Sequence, residues 1–413
     1  MKKARKDDKG RALKQGEYQR YDRSYEYRYK DPFNKRKCIY APTLMELREQ
    51  EKELMRDQLD GLDVYAKGMA TVNMLYERYI RTKVNLRPTT LAAYAFTYDR
   101  YVRDLLGKKR IGEVKYSDIL YFYNYLMKER NLKVETVDKV HTLLHPMFTL
   151  AVRDNIIRKN PTDGAMATIK QGRTCVKTTR HALTKEQQRC FLEYVAGNPF
   201  FVKWLPLFTV LLGTGCRVGE VTGLRWEDID LKKKMISINH NLVRYSKKNQ
   251  DAGGTMITGI SLPKTEAGIR TIPMFPQVEE AFRTLWEEHK ENKIETETID
   301  GMNNFIFVRD DGTVLSSQAI NDVIKRVIKY YNEEEKRDAK AEKRESVLLP
   351  DFSCHHLRHT FCTRFCETEK NVKVVQSVMG HADVTTTLDI YTDVTESVKT
   401  EAMLNLAASV DVF

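Results

Sequence analysis

The sequence lacks long hydrophobic runs and cysteine pairs with the CxxC spacing. In its 413 residues no apolar stretch approaches the roughly 20 residues of a membrane-spanning helix, and the charged amino-terminal stretch shows no secretory signal. The cysteines, which show no CxxC spacing, lie at positions 38, 175, 190, 216, 354, 362 and 366. We therefore expect free thiols in a reducing cytoplasm.

The sequence is basic, and the excess positive charge concentrates at one end. With 69 Lys and Arg against 57 Asp and Glu, the formal net charge is +12, and the isoelectric point is near 9.1. Residues 1–40 alone contain fourteen basic and six acidic residues, a net charge of +8. This asymmetry is typical of contact with nucleic acid, and the length indicates two or three domains.

The amino-terminal part predicts a small sheet with a helix packed on it. Tyr25, Tyr27 and Tyr29 alternate with charged residues, which is the period of a half-buried strand. Thr43 and Glu46 form a capping box for a helix whose leucines at positions 44, 47 and 54 face inward. Residues 1–10 are expected to be a disordered basic tail. The predicted strands are Glu17–Tyr21, Tyr25–Lys30 and Arg36–Ala41.

The middle of the chain predicts a helical domain bounded by linkers. Gly61–Gly68 is expected to be the first linker, and Lys170–Thr179, which is polar and without a clear period, is expected to be the second. Aromatic residues such as Tyr98 and Phe148 are expected to pack in the core instead of stacking on bases. The predicted helices are Thr71–Lys83, Thr89–Leu106, Ser117–Arg130 and Val134–Arg153.

Residues 352–393 concentrate polar groups in a pattern unlike that of a packing element. His355 and Arg358 are spaced to lie on one face of a helix near its start, about one turn apart. An arginine fork, a histidine and a helix N-terminus together favour a phosphate ligand. His381 and Tyr391 follow in the same stretch, and a tyrosine close to a bound phosphate is a possible nucleophile.

Two earlier clusters supply further polar groups. In LGTGCRVGEVTGLRW, residues 212–226, the glycines allow a tight turn, Arg217 opens a helix, and Glu220 is spaced to pair with a neighbour or orient it. The apolar run before this cluster predicts a buried helix that delivers Arg217 to the surface. In PKTEAGIRTIP, residues 263–273, Lys264 leads into a predicted hairpin with Gly268 near its turn.

A polar insertion, SKKNQDAGG, separates two further strand signals. The strands are predicted at Met235–Asn239 and Gly259–Leu262. Lys247 and Lys248 make the insertion a possible DNA contact, and a solvated hairpin tip is the alternative. A second charged stretch, residues 332–346, is interpreted as a solvated helix or loop without a chemical role.

The polar groups of these clusters, taken in order, resemble the catalytic set of the tyrosine recombinases. The matching residues are Arg217, Lys264, His355, Arg358, His381 and Tyr391. The amino-terminal part is similar to the arm-binding segment of integrases from Gram-positive conjugative transposons, so the resemblance covers the whole chain. It implies a site-specific recombinase that integrates and excises a mobile element, in which Tyr391 attacks a scissile DNA phosphate and forms a 3′-phosphotyrosyl intermediate.

The resemblance also implies a role for each member of the set. The two arginines would hold the nonbridging oxygens of the phosphate, where charge builds up in the transition state. Lys264 would protonate the departing 5′ oxygen, and His381 would add a hydrogen bond. His355 would assist the tyrosine, whose phenol has an ordinary pKa of about 10. Glu220 would support Arg217 or its helix. No metal or nucleotide cofactor is implied, because the arginines supply the positive charge.

For the whole chain the resemblance implies a multidomain fold. Residues 1–62 would form a small α+β arm-binding domain, residues 69–168 an all-α core-binding domain, and residues 180–413 a mainly α catalytic domain with a small β-sheet. The implied partners are double-stranded DNA at core and arm-type sites, other copies of the chain in a tetramer with exchanged C-terminal tails, and an excision factor. The expected location is the bacterial cytoplasm, at the nucleoid. Candidate DNA-contacting residues are Arg20, Arg28, Lys37, Lys247 and Lys248.

Other functions stay open from the sequence. A DNA-binding protein without catalysis would share the basic regions, and a type IB topoisomerase would share the chemistry. A metallohydrolase is a more distant alternative, because His355, His359, Cys362 and His381 could be zinc ligands. Arg358 lies among these residues and would repel a dication, which favours the phosphate pocket.

Overall fold

The computed structural model describes residues 5–30, 36–59, 68, 70–171, 182–249, 252–263, 265–393 and 403. The chain divides into two units, residues 1–176 and residues 177–413. The predicted catalytic set belongs to the second unit. None of the helices in the described ranges is both long enough and apolar enough to cross a membrane.

The amino-terminal sheet follows the alternation in the sequence. Strands β1 (Glu17–Gln19), β2 (Tyr25–Lys30) and β3 (Arg36–Ala41) are antiparallel and lie in that order. Helix α1 (Leu44–Leu59) begins where the Glu46 N–H donates to Thr43 Oγ1 at 3.2 Å. Tyr25, Ala41, Leu44 and Leu47 form a buried core between sheet and helix. The predicted sheet, helix start and inward leucines are confirmed.

The expected disordered tail is wrong for residues 5–10. Asp7 is only 7% exposed, and its carboxylate accepts hydrogen bonds from Arg11 Nε at 2.8 Å and from the Tyr25 hydroxyl at 3.0 Å. The Asp7 N–H also donates to the Arg11 carbonyl at 2.9 Å. A buried carboxylate with these partners ties the segment to the sheet, and the charge count of the segment gave no sign of it. Residues 1–4 lie outside the described part of the chain.

The helical middle has the predicted character. Tyr98 and Phe148 are fully buried, so their prediction as core residues is confirmed. The second predicted linker starts too early, because Lys170 still lies in the last helix of this part; the rest of that stretch, from residue 172, lies outside the described residues. The helices are α2 (Val72–Arg81), α3 (Pro88–Tyr101), α4 (Tyr116–Lys128), α5 (Val134–Arg153) and α6 (Ala165–Gln171).

The second unit is mainly helical and is built around α8, the apolar helix predicted before Arg217. Phe208 and Leu211 of this helix are fully buried in the largest core cluster. A capping box of Thr184 and Gln187 opens α7. The helices are α7 (Lys185–Gly197), α8 (Leu205–Thr214), α9 (Val218–Thr222), α10 (Pro276–Glu291), α11 (Ser317–Glu342), α12 (Cys354–Thr368), α13 (Val372–Met379) and α14 (Val384–Asp393).

The strands of the second unit form two separate sheets. A three-stranded sheet has the order β4-β5-β8, and β6 pairs with β7 as a long hairpin. The predicted hairpin over residues 263–273 is therefore wrong: Gly268 ends a short 3₁₀ turn that connects β7 to a strand of the other sheet. The insertion SKKNQDAGG is mostly strand, because β6 runs on to Asn249. The ranges are β4 (Ile229–Asp230), β5 (Met235–Ile238), β6 (Asn241–Asn249), β7 (Ala252–Ser261) and β8 (Arg270–Pro273).

Candidate active site

The turn between α8 and α9 presents Arg217 at the surface. Helix α8 ends at Thr214 and is capped by Gly215, whose φ of 62° lies in the left-handed region that glycine adopts without strain. Arg217 is the N-cap of α9, as predicted, and its side chain is 45% exposed. Glu220 accepts from the Arg217 backbone N–H at 2.9 Å and from its Nη1 at 2.7 Å. A buried helix thus delivers an arginine whose guanidinium is held by a carboxylate.

Arg270 on β8 is a member of this cluster that the sequence reasoning missed. Its Nη2 donates to Glu220 Oε2 at 2.9 Å, and the two side chains are 6% and 7% exposed. Burial alone would raise the pKa of Glu220, but the hydrogen bond and charge of Arg270 outweigh it and hold that pKa below its usual value. The alternation of residues along the strand could have revealed this role. Arg270 lies two positions before the buried Ile272 and so on the same face of the strand, where its charge requires an ion-pair partner in the protein interior.

Arg358, the second predicted arginine, lies on α12 and is buried. It is 5% exposed, and its Nη1 and Nη2 each donate at 2.7 Å, to the carbonyls of Gly215 and Met379 respectively. Burial, together with the nearby positive charge of Arg217, lowers the pKa of Arg358 to about 10. The guanidinium therefore remains charged at neutral pH, in surroundings where its field is weakly screened.

Three arginines converge on three consecutive carbonyls at the C-terminal end of α13. Arg270 Nε donates to the Val378 carbonyl at 2.7 Å, and Arg217 Nη2 donates to the Gly380 carbonyl at 3.1 Å. The Met379 carbonyl, which lies between these two carbonyls in the sequence, accepts the hydrogen bond from Arg358 Nη2. The last carbonyls of a helix lack partners within the helix and carry the negative end of its dipole, so they attract cations. This turn, residues 378–380, gathers residues that are far apart in the sequence, and we call it the arginine-binding turn.

His381 follows this turn directly and is also buried. It is 7% exposed, and its Nδ1 lies 3.0 Å from the Thr387 hydroxyl on α14. Its backbone N–H donates to the Gln376 carbonyl at 3.2 Å. Burial and the positive charges of Arg358, Arg217 and Arg270 lower the pKa of His381 to about 4, so the imidazole is neutral at physiological pH.

The other predicted catalytic residues are placed less completely. His355 is exposed in the first turn of α12, one turn before Arg358. Residue 391 lies in α14, but the side chain of Tyr391 and all of Lys264 lie outside the described part of the structure. The structure thus brings together Arg217, Arg358 and His381. Two guanidiniums and a neutral imidazole at one place are suited to bind a phosphodiester and stabilise charge on its oxygens.

Two family models match the sequence. The phage integrase family model matches residues 181–397, which is more than half of the chain. The model for the DNA-binding domain of the Tn916 integrase matches residues 1–58.

The chain belongs to the phage integrase family.

Full-length relatives agree with this assignment. The chain is 30% identical over 96% of its length to the transposase from transposon Tn1545 of Streptococcus pneumoniae, covering 95% of that protein. The transposase from transposon Tn916 of Enterococcus faecalis shows the same identity and coverage. This integrase is therefore a tyrosine-type site-specific recombinase, an enzyme that cuts and rejoins DNA strands.

Solved structures support the fold of the integrase. The Tn1549 transposon integrase, solved in complex with a circular intermediate DNA, matches with a TM-score of 0.69 and 30% identity, over 81% of this chain and 99% of that one. A lambda integrase tetramer bound to a Holliday junction matches with a TM-score of 0.51 and 16% identity, over 91% of this chain and 94% of that one. The second match shows the fold alone. The predicted fold class is confirmed.

The candidate DNA-contacting residues of the amino-terminal sheet of the integrase do not share one face. Arg20 lies over the Tyr40 ring at 5.1 Å and Arg28 over the Tyr18 ring at 4.4 Å, all on the face away from α1. Cys38 pairs with Arg28 and therefore lies on the face away from α1. Lys37 is the residue before Cys38, and successive residues of a strand point to opposite faces, so Lys37 lies on the α1 side. In the catalytic unit Lys247 is exposed on β6, whereas the side chain of Lys248 lies outside the described residues.

The histidines and cysteine of the zinc alternative are dispersed in the integrase. Cys362 is buried in an apolar cluster with Val375 and Ile390, whereas His381 is bonded to Thr387. Over the ranges that the structure describes, no three His, Cys, Asp or Glu side chains are grouped so as to hold a metal ion. His359 lies near Thr363 Oγ1, at 3.4 Å.

Proposed function

We propose that this integrase cuts and rejoins DNA at the ends of a conjugative mobile element, with Tyr391 as the nucleophile. The observation that carries the proposal is the convergence of Arg217, Arg358 and His381 beside the helix that contains residue 391. The transposon names of the relatives, and the DNA in the Tn1549 structure, support the choice of substrate.

The proposed cleavage step exchanges one phosphodiester bond for another. The Tyr391 phenolic oxygen forms a bond to phosphorus, the bond to the 5′ oxygen breaks, and a 3′-phosphotyrosyl linkage remains. The phenol loses its proton to His355 or to solvent, and Lys264 gives a proton to the departing 5′ oxygen. Arg217 and Arg358 bind the nonbridging oxygens as charge develops on them. The reverse sequence, with a new 5′ hydroxyl as nucleophile, rejoins the strands.

A covalent trap tests this proposal. A duplex with the element end is nicked near the cleavage point so that the leaving strand diffuses away, and denaturing gels then detect protein joined to DNA. We expect an adduct with the natural protein and none with Tyr391→Phe. Tyr330→Phe, which alters an exposed tyrosine on α11, is the matched control and should form the adduct. DNA binding by both proteins without any adduct would favour the DNA-binding alternative.

The site requirement separates this function from that of a topoisomerase. A site-specific recombinase is expected to leave supercoiled DNA that lacks the element end unrelaxed, whereas a type IB topoisomerase relaxes any supercoiled DNA. Equal relaxation of plasmids with and without the end would support the topoisomerase alternative.

We also propose that the amino-terminal domain over residues 1–62 binds arm-type DNA sites and that the helical domain over residues 69–168 binds core sites. Arg20 and Arg28, on the exposed face of the sheet, are suited to contact phosphates, and Lys247 supplies a further cation in the catalytic domain. An excision factor that sets the direction, and a location at the bacterial nucleoid in the cytoplasm, complete the proposal.

Assembly to a tetramer is proposed to proceed through the C-terminal tail. The catalytic unit contains an apolar cavity of about 510 Å³, lined by residues that include Leu192, Leu212, Phe275, Phe361 and Phe365. The tail, which lies outside the described residues except for position 403, has an amphipathic pattern suited to docking into such a groove of a neighbouring copy.

A charge placed in this cavity tests the tail proposal. Phe275 is 54% exposed and lines the cavity, so Phe275→Glu should allow folding but weaken docking. Phe200→Glu, at an 82% exposed position that does not line the cavity, is the control. We expect only the first variant, and a chain truncated after residue 393, to reduce tetramer formation on DNA in sedimentation experiments. Normal tetramers from Phe275→Glu would contradict the docking site.

A further inference from the structure

Thr387 contacts the active site through His381. It is fully buried on α14, four residues before position 391, and its hydroxyl lies 3.0 Å from His381 Nδ1. Threonines at neighbouring positions 385 and 386 are exposed. A buried hydroxyl inside a helix, directed at the ring of a buried histidine, calls for a chemical explanation.

The contact determines which ring nitrogen of His381 carries the proton. A neutral imidazole has one N–H donor and one acceptor nitrogen, whereas a hydroxyl can both donate and accept. Among the hydrogen bonds of the described residues, His381 Nδ1 is the one partner of the Thr387 hydroxyl. A buried O–H without an acceptor is costly, so the hydroxyl donates to Nδ1 and the ring proton resides on Nε2.

This tautomer suits a phosphate ligand. Burial and the surrounding guanidiniums keep the imidazole neutral, so it has a single N–H to donate. With the proton on Nε2, the ring could donate a hydrogen bond to an oxygen of a bound phosphate; with the proton on Nδ1, Nε2 would turn a lone pair toward that oxygen and repel it.

We propose that Thr387 is a positioning residue, which fixes His381 as an Nε2–H donor and fastens the helix that contains residue 391 to the phosphate pocket. The inference rests on the proposed function, because it assumes that His381 donates to the scissile phosphate. Thr387 itself touches neither the substrate nor the reacting atoms. The single hydrogen bond links the orientation of the nucleophile's helix to the protonation pattern of the pocket.

Isosteric substitutions separate this role from a packing role. Thr387→Val keeps the β-branched shape and removes the hydroxyl, and Thr387→Ser restores the hydroxyl. We expect the single-turnover rate of adduct formation on the nicked duplex to fall on the order of tenfold in Thr387→Val and to recover in Thr387→Ser. Thr386→Val, on the same helix at an exposed position, should leave the rate unchanged.

A double-mutant cycle shows whether the effect passes through His381. In a His381→Ala background Thr387→Val should have little further effect on the rate, because the group it orients is gone. An equal loss in both backgrounds would reduce Thr387 to a packing residue and overturn the proposal.

The tautomer can be measured without catalysis. In protein labelled with ¹⁵N-histidine, the imidazole nitrogen shifts of His381 should report Nε2–H in the natural chain and a loss of this preference in Thr387→Val. An Nδ1–H form in the natural chain would overturn the proposal. If the natural chain forms no adduct at all, the proposed function fails, whereas an adduct that Thr387→Val forms at the natural rate refutes this inference alone.

Discussion

Arg270 and Glu220 form a buried ion pair, with Nη2 and Oε2 2.9 Å apart, beneath the exposed Arg217. Glu220 Oε1 also accepts a hydrogen bond from Arg217 Nη1, so one carboxylate lies between two guanidiniums. Glu220 and the Gly380 carbonyl hold the Arg217 guanidinium together, and Arg270 favours the ionised form of Glu220. Glu220 thus supports Arg217, and Arg270 in turn supports Glu220. The second ion pair is necessary because a buried carboxylate without a partner is strongly destabilising.

Replacing one member of this ion pair should lower the free energy of unfolding more than replacing both members. Arg270→Met leaves Glu220 buried without its main partner, and we expect a loss of about 3–5 kcal/mol in the free energy of unfolding. The double variant Arg270→Met/Glu220→Leu should lose clearly less, because no charge is stranded. Urea unfolding of both variants tests this. Additive losses in the double variant would contradict the pairing, and the adduct assay should show low activity in both, since Arg217 loses its support.

The stability of the protein should depend on pH through His381. Its pKa of about 4 in the folded state lies below the value of about 6.5 in an unfolded chain, so the unfolded state binds the proton first as the pH falls. The contribution of this pKa difference to the free energy of unfolding is complete above pH about 6.5. It is lost progressively toward pH 4, by about 3 kcal/mol at most. Urea unfolding of the natural chain and His381→Gln between pH 7.5 and 5 should show a steeper loss in the natural chain. Parallel curves would contradict the low pKa.

The turn before Arg217 should not tolerate a side chain at Gly215. An added Cβ would lie 2.2 Å from Phe361 Cδ1, and the positive φ disfavours any L-residue by roughly 1–2 kcal/mol. Gly215→Ala should therefore lower the free energy of unfolding by more than this and reduce adduct formation, because the Gly215 carbonyl also binds Arg358. Gly197→Ala is the control, since nothing lies within 4 Å of the added Cβ there. Equal stability of the two variants would argue against the described turn.

The two faces of the amino-terminal sheet should differ in DNA binding. Arg28 lies on the face away from α1, and Lys37 lies on the other face. Arg28→Ala should weaken binding to an arm-type duplex and lower the slope of log affinity against log salt by about 1, as expected for one lost phosphate contact. Lys37→Ala should change the slope less. Fluorescence anisotropy at several salt concentrations measures both, and a larger effect from Lys37 would place the DNA on the α1 side.

Much of the local structure could be predicted because it depends on neighbours in the sequence. The capping box at Thr184, the strand alternation at Tyr25 to Tyr29 and the helix opened by Arg217 are patterns of a few residues. Strand alternation indicates that Arg270 is on a buried face, but it does not identify the partner, because Glu220 lies fifty positions away and on a helix. The hairpin expected after Pro263 failed for a related reason: a turn motif does not reveal which strand each flanking strand pairs with.

The arginine-binding turn has a consequence for how this enzyme tolerates change. Gly380 has a φ of 63°, and a Cβ added there would lie 2.8 Å from Arg270 Nη1, so glycine is required at that position. The acceptors of this turn are main-chain carbonyls, which every amino acid has, so replacing the side chain of Val378 or Met379 leaves the acceptors in place. Changing the number of residues does not, because one added or deleted residue would rotate each carbonyl by about 100° around α13 and shift it by about 1.5 Å. For the carbonyls of Val378 and Met379 the length of the chain therefore matters more than the identity of the side chain.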